Sequence, residues 1–185
     1  MKILAFAASN SANSINKMFV ESVSKYYKEI EDEIVVLDLN DFQMPVFSKE
    51  IEKDQGIPEL ATRFAQHVDW ADLVLISYAE NNGNYNACYK NIVDWVSRIP
   101  GRKIFQDKAV FLLSTSEGGR GAKSVLEIAE SRMPGDGASV LDTFSLPEFS
   151  KNFQQGKGII TPALRSQLES KVRNTKKRMA ERLSV

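Results

Sequence analysis

Five short apolar runs constrain the fold of this chain more than any other feature of its sequence. Polar residues occur in these runs only at the ends, and the runs span residues 3–7, 34–37, 73–77, 109–113 and 139–141. Strands without a polar face are typical of a parallel sheet that is covered on both sides. Amphipathic stretches separate the runs, so the sequence predicts alternating strands and helices in the order βαβαβαβαβα.

The helices between these runs are predicted from apolar spacing and from capping residues. Apolar residues recur at helical spacing from Ile15 to Ile30, and Asn13 or Ser14 is the expected N-cap. Further helices are predicted from residue 58 to about 68, over about 85–97, over about 122–131, and from Pro162 to about 183. We expect residues 39–56 to form a long loop, because this segment holds a proline, a glycine and many charges.

Five strands in this order favour a flavodoxin-like α/β fold, a doubly wound parallel sheet with the strand order 2-1-3-4-5 and helices on both faces. We expect one domain over residues 1–185. In such a sheet the ligand lies outside the carboxyl ends of strands 1 and 3, where the strand order reverses. The loops that leave strands 1, 3 and 4 are then neighbours, and they supply the candidate site residues.

Charge, cysteine and histidine content exclude several classes of partner. The chain carries 24 Lys or Arg and 24 Asp or Glu, so we expect neither a nucleic acid nor a membrane as its partner. One cysteine, Cys88, and one histidine, His67, offer no disulfide framework and no metal cluster. The apolar start is too short for a transmembrane span, and polar residues follow it at once. We therefore expect a cytoplasmic protein without a bound metal.

The loop after strand 1 crowds hydroxyl and amide side chains around the start of a helix. A helix start presents unpaired N–H groups and a partial positive charge, which suit a phosphate. The loop lacks both G-x-G-x-x-G and G-K-[ST], which excludes the dinucleotide fingerprint and the P-loop. An ordinary capping loop is the alternative. The candidate phosphate-binding residues are Ser9, Ser11, Ser14 and Asn16, and Ile15 is a further candidate ligand contact.

The loop after strand 3 is polar and leads into a helix. Its glycine allows backbone to approach a planar ligand closely. In the following helix Lys90 and Asp94 are spaced for an i,i+4 ion pair and Trp95 for packing, so we expect a structural role there. The candidate ligand contacts from this loop are Glu80, Asn81, Asn82 and Gly83.

The loop after strand 4, residues 114–121, has three glycines among its last four residues. Such a loop can aim several backbone N–H groups inward as an anion-binding nest. A flexible connector is the alternative. The candidate contacts are Ser114, Ser116, Gly118 and Gly119.

These three loops resemble segments of the NAD(P)H-dependent FMN reductase family. Residues 8–16 are similar to its small-Ser-x-Arg-x-x-Ser-x-Asn pattern, with Ser11 at the arginine. Residues 79–95 are similar to its Pro-Glu-Tyr-Asn-Gly-Ser segment and the helix that follows, with Asn81 at the tyrosine. Residues 114–121 resemble its Ser-x-Ser-Pro-Gly-Gly-x-Gly stretch, with Glu117 at the proline. The matches follow one another in the family's order over nearly the whole chain.

The resemblance implies an FMN-dependent oxidoreductase. It implies that FMN takes electrons from NADPH or NADH and passes them to a small-molecule acceptor, which is a flavin, a quinone, an azo compound or a metal ion. It implies no catalytic side chain, because N5 of the flavin carries the chemistry. The phosphate is expected at the first loop, the ring along the second, and N–H donors of the third near the flavin N1 and O2. The changes at Ser11 and Asn81 lead us to expect weak FMN retention.

The resemblance also implies a homodimer or a homotetramer, in which the helices after strands 3 and 4 cover a neighbour's cofactor. The expected contact residues are Tyr85, Tyr89, Trp95 and Arg120.

Three other functions were weighed against this one. A flavodoxin-like electron carrier without intrinsic NAD(P)H oxidation stays open, although carriers are usually steered by a strong charge of one sign. A flavin-binding or interaction module also stays open, because of the changes at Ser11 and Asn81. A receiver-type signalling domain needs acidic residues after strand 1 and an aspartate after strand 3, and the sequence has neither.

Overall fold

The computed structural model describes residues 1–28 and 32–184. The predicted helical spacing up to Ile30 therefore ends outside the described residues. The strands, in chain order, are β1 Lys2–Ala8, β2 Glu33–Leu37, β3 Leu73–Tyr78, β4 Glu80–Asn81, β5 Asn84–Tyr85, β6 Lys108–Thr115, β7 Ala138–Leu146, β8 Phe153–Gln154 and β9 Gly158–Ile159. The α-helices are α1 Ile15–Ser24, α2 Lys49–Gln55, α3 Glu59–Trp70, α4 Ala87–Val96, α5 Lys123–Arg132, α6 Phe149–Asn152 and α7 Pro162–Leu183.

Five parallel strands form the main sheet in the order β2-β1-β3-β6-β7. This order confirms the flavodoxin-like prediction. The other strands form two short antiparallel pairs, β4 with β5 and β8 with β9. The register brings Ala8 beside Tyr78 and Tyr78 beside Ser114. The carboxyl ends of β1, β3 and β6 therefore meet at one edge of the sheet, and so do the loops that leave them.

Both faces of the sheet are buried, because side chains of each central strand alternate between two cores. In β1, Phe6 packs with α3, α4 and α5, whereas Ala5 packs with α1 and α7. Every residue from Ile3 to Ala8 is at most 4% exposed. This explains why the central strands contain apolar residues at consecutive positions rather than at alternate ones.

The structure corrects one predicted segment and extends another. The segment predicted as a loop over residues 39–56 contains a 3₁₀ turn at Leu39–Phe42 and the helix α2. No residue of α2 is buried, so it has no apolar stripe that a sequence pattern could reveal. Strand β7 contains the apolar run 139–141 that predicted it and continues to Leu146, because an edge strand keeps polar residues on its half-exposed positions.

Local predictions at helix α1 and helix α4 are confirmed. Ser14 is the N-cap of α1, and its Oγ accepts a hydrogen bond from Lys17 N at 3.2 Å. Lys90 and Asp94 form the predicted ion pair on α4 at 2.6 Å, and Trp95 is buried. Over the residues described, none of the helices combines the length and the apolar character that crossing a membrane requires.

Candidate functional site

A cleft of about 270 Å³ lies at the carboxyl edge of the sheet, between the loops after β1, β3 and β6. The first loop contributes the floor, where Ser9 and Ser14 are each only 7% exposed. Residues of the rim are exposed, among them Ser11, Asn13 and Glu117. The full lining is Ser9, Ser11, Asn13, Ser14, Ile15, Asn16, Ala79, Glu80, Asn81, Asn86, Thr115, Ser116 and Glu117.

The hydroxyl groups of Ser9 and Ser14 are arranged as donors. The Oγ of Ser9 accepts a hydrogen bond from Ser11 N at 3.2 Å, and the Oγ of Ser14 accepts one from Lys17 N at the same distance. A serine hydroxyl that accepts a backbone N–H retains its own proton for donation. The first N–H groups of α1 also lack a carbonyl partner within the helix. A phosphate group could be bound by this set of neutral hydrogen-bond donors.

Asn16 lines the same cleft, but its amide holds the sheet edge together. The side-chain oxygen accepts hydrogen bonds from Ser77 Oγ at 2.7 Å and from Thr115 N at 3.1 Å. The side-chain nitrogen donates to Thr115 O at 3.1 Å. Asn16 therefore ties the start of α1 to the ends of β3 and β6, which places the first and third loops relative to each other. Its predicted contact with the phosphate stays a prediction.

The second loop is a tight hairpin, β4–β5, whose turn is Asn82-Gly83. Both turn residues have positive φ, 51° at Asn82 and 75° at Gly83, as expected for a type I′ turn. The turn conformation alone accounts for the glycine, which does not line the cleft. The dipeptide Asn-Gly is itself a signal for such a hairpin, so the prediction of a polar loop without strands at these residues was wrong.

The carboxylate of Glu80 connects this hairpin to helix α5. Its Oε2 accepts a hydrogen bond from Val125 N at 3.1 Å. The N-cap residue of α5 is Ala122, which offers no capping side chain. Glu80 thus caps the helix from a distant loop, and its charge also compensates the positive end of the helix dipole.

The third loop is held by the segment that follows β7. Ser116 O and Gly118 O accept hydrogen bonds from Phe149 N and Glu148 N at 3.0 and 3.1 Å. The carboxylate of Glu117 accepts two more from Ser150, from N at 3.1 Å and from Oγ at 2.8 Å. These bonds make the loop a fixed wall of the cleft rather than a flexible connector.

The structure brings most of the predicted site residues together, but not all of them. Eight of them line the cleft: Ser9, Ser11, Ser14, Ile15, Asn16, Glu80, Asn81 and Ser116. Five do not: Asn82, Gly83, Ser114, Gly118 and Gly119. Ser114 is fully buried, and its Oγ donates to Gly121 O at 2.7 Å, which gives it a structural task.

Sequence reasoning missed five lining residues: Asn13, Ala79, Asn86, Thr115 and Glu117. Asn86 carried a usable signal, because an asparagine directly before a helix is a preferred N-cap. Its Oδ1 caps α4 through Cys88 N, and its Nδ2 donates to Asn10 and Asn81. Asn86 therefore connects the first and second loops across the cleft.

The cleft itself is free of cationic side chains. No Lys or Arg of the described residues lines it, and both carboxylates of its lining, Glu80 and Glu117, are hydrogen-bonded to backbone N–H groups. Beside it, the hydrogen bond from Lys17 holds the pKa of the Asp38 carboxyl below its ordinary value and joins α1 to the end of β2. Burial raises the pKa of the Cys88 thiol to about 11, so this thiol stays protonated at neutral pH.

FMN fits the chemistry of this lining. The buried serine hydroxyls and the start of α1 suit its phosphate, and the carboxyl edge of the sheet is where such folds place a nucleotide. Clefts that enclose a drug-sized ligand measure about 300–1,000 Å³. At about 270 Å³ this cleft is slightly smaller than that range, so part of the cofactor would be exposed.

One of the expected dimer contacts, Trp95, is wrong, because this residue is 0% exposed and packs into the core. Tyr89 is 2% exposed and packs into the same core, but it also lines a groove between α4 and α5. Tyr85 is half-buried beside them, and Arg120 is exposed. The helical position of an aromatic residue does not distinguish an inner face from an outer one until the helix is packed.

Several known proteins are similar to this chain in sequence and in fold. Residues 1–151 match the model of a family described as NADPH-dependent FMN reductase. A 2-hydroxy-1,4-benzoquinone reductase of Burkholderia sp is 33% identical over 92 residues, which are 50% of this chain and 47% of that protein. An NADPH:quinone oxidoreductase of Arabidopsis thaliana is 28% identical over 109 residues, 59% of this chain and 53% of that protein. The chain thus spans about half the length of these curated relatives.

A solved structure shows the same fold. FerB, a flavoenzyme NAD(P)H:(acceptor) oxidoreductase from Paracoccus denitrificans, superposes with a TM-score of 0.74 and 20% identity, over 91% of each chain. The family match covers all three loops of the cleft. The chain belongs to the NADPH-dependent FMN reductase family.

Proposed function

We propose that this chain is an FMN-dependent NAD(P)H oxidoreductase, in which residues 1–185 form one flavin-binding domain. The observation that carries the proposal is the cleft at the carboxyl ends of β1, β3 and β6, with buried serine hydroxyls at the start of α1. Membership of the NADPH-dependent FMN reductase family supports it.

The residues of the cleft bind and orient, and they need not donate or accept the reacting proton. The Ser9 and Ser14 hydroxyls would hold the FMN phosphate, and Asn16 would keep their loop against the strand ends. When bound there, FMN would supply the redox chemistry that links the nicotinamide to the acceptor. The Glu80 and Asn86 bonds would keep the hairpin beside the ring. The exposed rim leaves one side of the cleft open to the two substrates in turn.

The acceptor we propose is a quinone, with a free flavin, an azo compound or a metal ion as further candidates. The support comes from the names of the relatives, which include quinone reductases from Burkholderia and Arabidopsis. The open rim also suits a planar acceptor, since stacking on the exposed ring needs no enclosed second pocket.

We further propose a homodimer, or a dimer of dimers, in a reducing compartment such as the cytoplasm. A groove of about 620 Å³ between α4 and α5 supports the dimer. It is lined by Tyr85, by the Lys90–Asp94 pair of α4 and by the Arg132–Asp136 pair next to it. Two pairs of opposite charge on one surface can match the same surface of a second copy across a two-fold axis.

The test is anaerobic reduction of the purified, FMN-saturated protein. Addition of NADPH or NADH should remove the visible absorbance of the oxidised flavin. A quinone added afterwards should restore this absorbance. Because one open site serves both substrates, steady-state double-reciprocal plots should be parallel.

Free FMN at the same concentration is the control for reduction in solution. Reduction no faster than in this control with both nicotinamides would overturn the oxidoreductase proposal. Bound flavin in such a protein would then indicate an electron carrier or a flavin-binding module. Intersecting plots would instead contradict the shared open site.

A further inference from the structure

A second cavity, of about 450 Å³, lies beside the candidate flavin cleft. The two share the loop after β6, since Glu117 lines the cleft and Gly119, two residues later, lines the second cavity. The helices α5 and α7, the strand β7 and the loops after β6 and β7 form the walls of this cavity. Its lining is Gly119, Arg120, Lys123, Ser145, Pro147 and Leu164.

Two cations of this cavity have no anionic partner. The Arg120 and Lys123 side chains are exposed, and among the described residues no carboxylate lies within ion-pair distance of either. The guanidinium of Arg120 is oriented by Ser124, whose Oγ accepts from its Nη2 at 3.0 Å. The cavity is therefore positively charged, in contrast to the flavin cleft.

The nearby acidic groups do not neutralise these cations. Glu148 is paired with Lys151, and Glu117 accepts hydrogen bonds from Ser150. Glu80 occupies the N-terminal end of α5 through Val125 N. The attraction for an anion thus comes from the two side chains rather than from the helix end.

The other walls suit a nucleoside. Pro147 and Leu164 are half-buried and offer apolar surface, and the hydroxyl of Ser145 lies between them and the loop. The Ser145 Oγ donates to Gly121 O at 2.8 Å, which fixes its position. An apolar wall beside two cations is complementary to a base or ribose that carries a phosphate monoester.

We propose that this cavity binds the 2′-phosphate of NADPH, and that Arg120 and Lys123 make NADPH the preferred reductant over NADH. The proposal rests on the proposed oxidoreductase function, which places the nicotinamide at the neighbouring flavin cleft. A phosphate monoester carries about −1.5 to −2 charge at neutral pH. Arginine binds such a group through two N–H donors and lysine as a point charge. NADH carries a neutral hydroxyl at the same position and gains little from either side chain.

The first experiment measures binding without turnover. Isothermal titration should show that adenosine 2′,5′-bisphosphate binds at least about tenfold more tightly than 5′-AMP to the wild-type protein, the size expected for a charge-assisted contact. The variant Arg120→Ala/Lys123→Ala should lose this difference. FMN affinity, titrated in parallel, should not change, because a loss of FMN binding would assign the cations to the flavin phosphate and overturn the proposal.

The control variant Arg173→Ala/Lys177→Ala removes the same charges from exposed positions of α7. Arg173 is nine residues beyond Leu164, which is about 13 Å along the helix. This control should keep the wild-type preference for the bisphosphate. An equal loss in both variants would mean that net charge alone attracts the ligand, and would contradict the proposed site.

The second experiment measures turnover with each nicotinamide. The cavity variant should raise the KM for NADPH about tenfold and leave the KM for NADH unchanged, and salt should weaken only NADPH binding. Equal effects on both nicotinamides, or a wild-type protein without preference, would overturn the proposal. Failure of both nicotinamides to reduce the wild-type protein would instead refute the oxidoreductase function, and the titrations would then decide the phosphate site separately.

Discussion

Asn16 and Ser14 are polar neighbours at the start of one helix, yet they have different tasks. The Ser14 hydroxyl caps α1 and faces the cleft, whereas the Asn16 amide is used in three hydrogen bonds to Ser77 and Thr115. Two predictions at the scale of single residues separate the binding task from the structural one.

The first prediction concerns the phosphate. The variant Ser9→Ala/Ser14→Ala should weaken FMN binding by about 1–2 kcal/mol, because a charged acceptor loses its donors. Binding of riboflavin, which lacks the phosphate, should change much less. Quenching of flavin fluorescence measures both affinities.

The Ser14 change also removes a helix cap, so its control must do the same elsewhere. Ser48 caps α2 through Ile51 N at 3.2 Å and lies outside the cleft. Ser48→Ala should cost similar stability and leave FMN affinity unchanged. Parallel losses of FMN and riboflavin in the double variant would contradict a phosphate contact.

The second prediction concerns Asn16→Asp, which replaces the amide nitrogen with oxygen opposite Thr115 O. An ionised carboxylate there faces a carbonyl oxygen in a buried site, so unfolding free energy should fall by about 2–4 kcal/mol at neutral pH. The same repulsion raises the pKa of Asp at this position in the folded state. The loss of unfolding free energy should therefore be smallest below about pH 4. It should grow as the pH rises above the pKa of aspartate in the unfolded chain, about 3.9.

Urea unfolding at a series of pH values measures this loss. Asn84→Asp is the matched control. The Oδ1 of Asn84 accepts a hydrogen bond from Tyr85 N at 2.7 Å, and an aspartate oxygen accepts this hydrogen bond equally well. A loss of unfolding free energy in Asn16→Asp that does not depend on pH would contradict the assigned orientation of the Asn16 side-chain amide.

At the scale of elements, the hairpin β4–β5 and the helix α5 form one unit through Glu80. Alanine at the N-cap position leaves α5 without a local cap, and the carboxylate from the hairpin replaces it at 3.1 Å. The short pairing of the hairpin would be marginal in water by itself. Besides Glu80, the hairpin is held by the hydrogen bond from Asn86 to Asn81 and by the ring of Tyr85 against Tyr78 and Tyr89.

We predict that Glu80→Ala costs about 1 kcal/mol of stability, the usual value of a helix cap. Hydrogen exchange should accelerate at Val125 N and at the amides of β4 and β5 together. Glu80→Gln keeps an acceptor and should retain most of the protection. Glu127→Ala, at an exposed position of α5, is the control for charge. Faster exchange in α5 without any change in the hairpin would contradict the coupling.

At the scale of the whole molecule, one chain forms the sheet, its two helical layers and the cleft, and the groove between α4 and α5 lies at the surface of this chain. We predict that sedimentation velocity at micromolar concentration shows a dimer or a tetramer. Arg132→Glu should weaken this assembly, because it places like charges on the proposed two-fold surface.

The control for assembly is Arg173→Glu, on an exposed part of α7 away from the groove. It should sediment as the wild type does. A monomer with FMN bound, or equal dissociation of both variants, would contradict the proposed interface.

The sequence by itself determined the elements that repeat a local pattern. Apolar runs identified the central strands, because a strand buried on both faces needs apolar residues at consecutive positions. The cap at Ser14 and the ion pair of Lys90 with Asp94 were also predictable, because both depend on residues at most four apart. The order of the three loops followed from the parallel topology, and with it the location of the cleft.

Only the tertiary structure decided which side chains are available at that cleft. Asn16 contacts Thr115 across 99 positions of the chain, and Glu80 contacts Val125 across 45. Tyr89 and Trp95 are core residues, because Tyr89 packs against Phe6 and Tyr78 of the sheet and Trp95 packs against Phe47. The helix α2 buries no residue and left no pattern to detect. A local sequence pattern encodes the period of an element and its ends. The partner of a polar side chain depends instead on which distant segments of the chain pack beside that side chain.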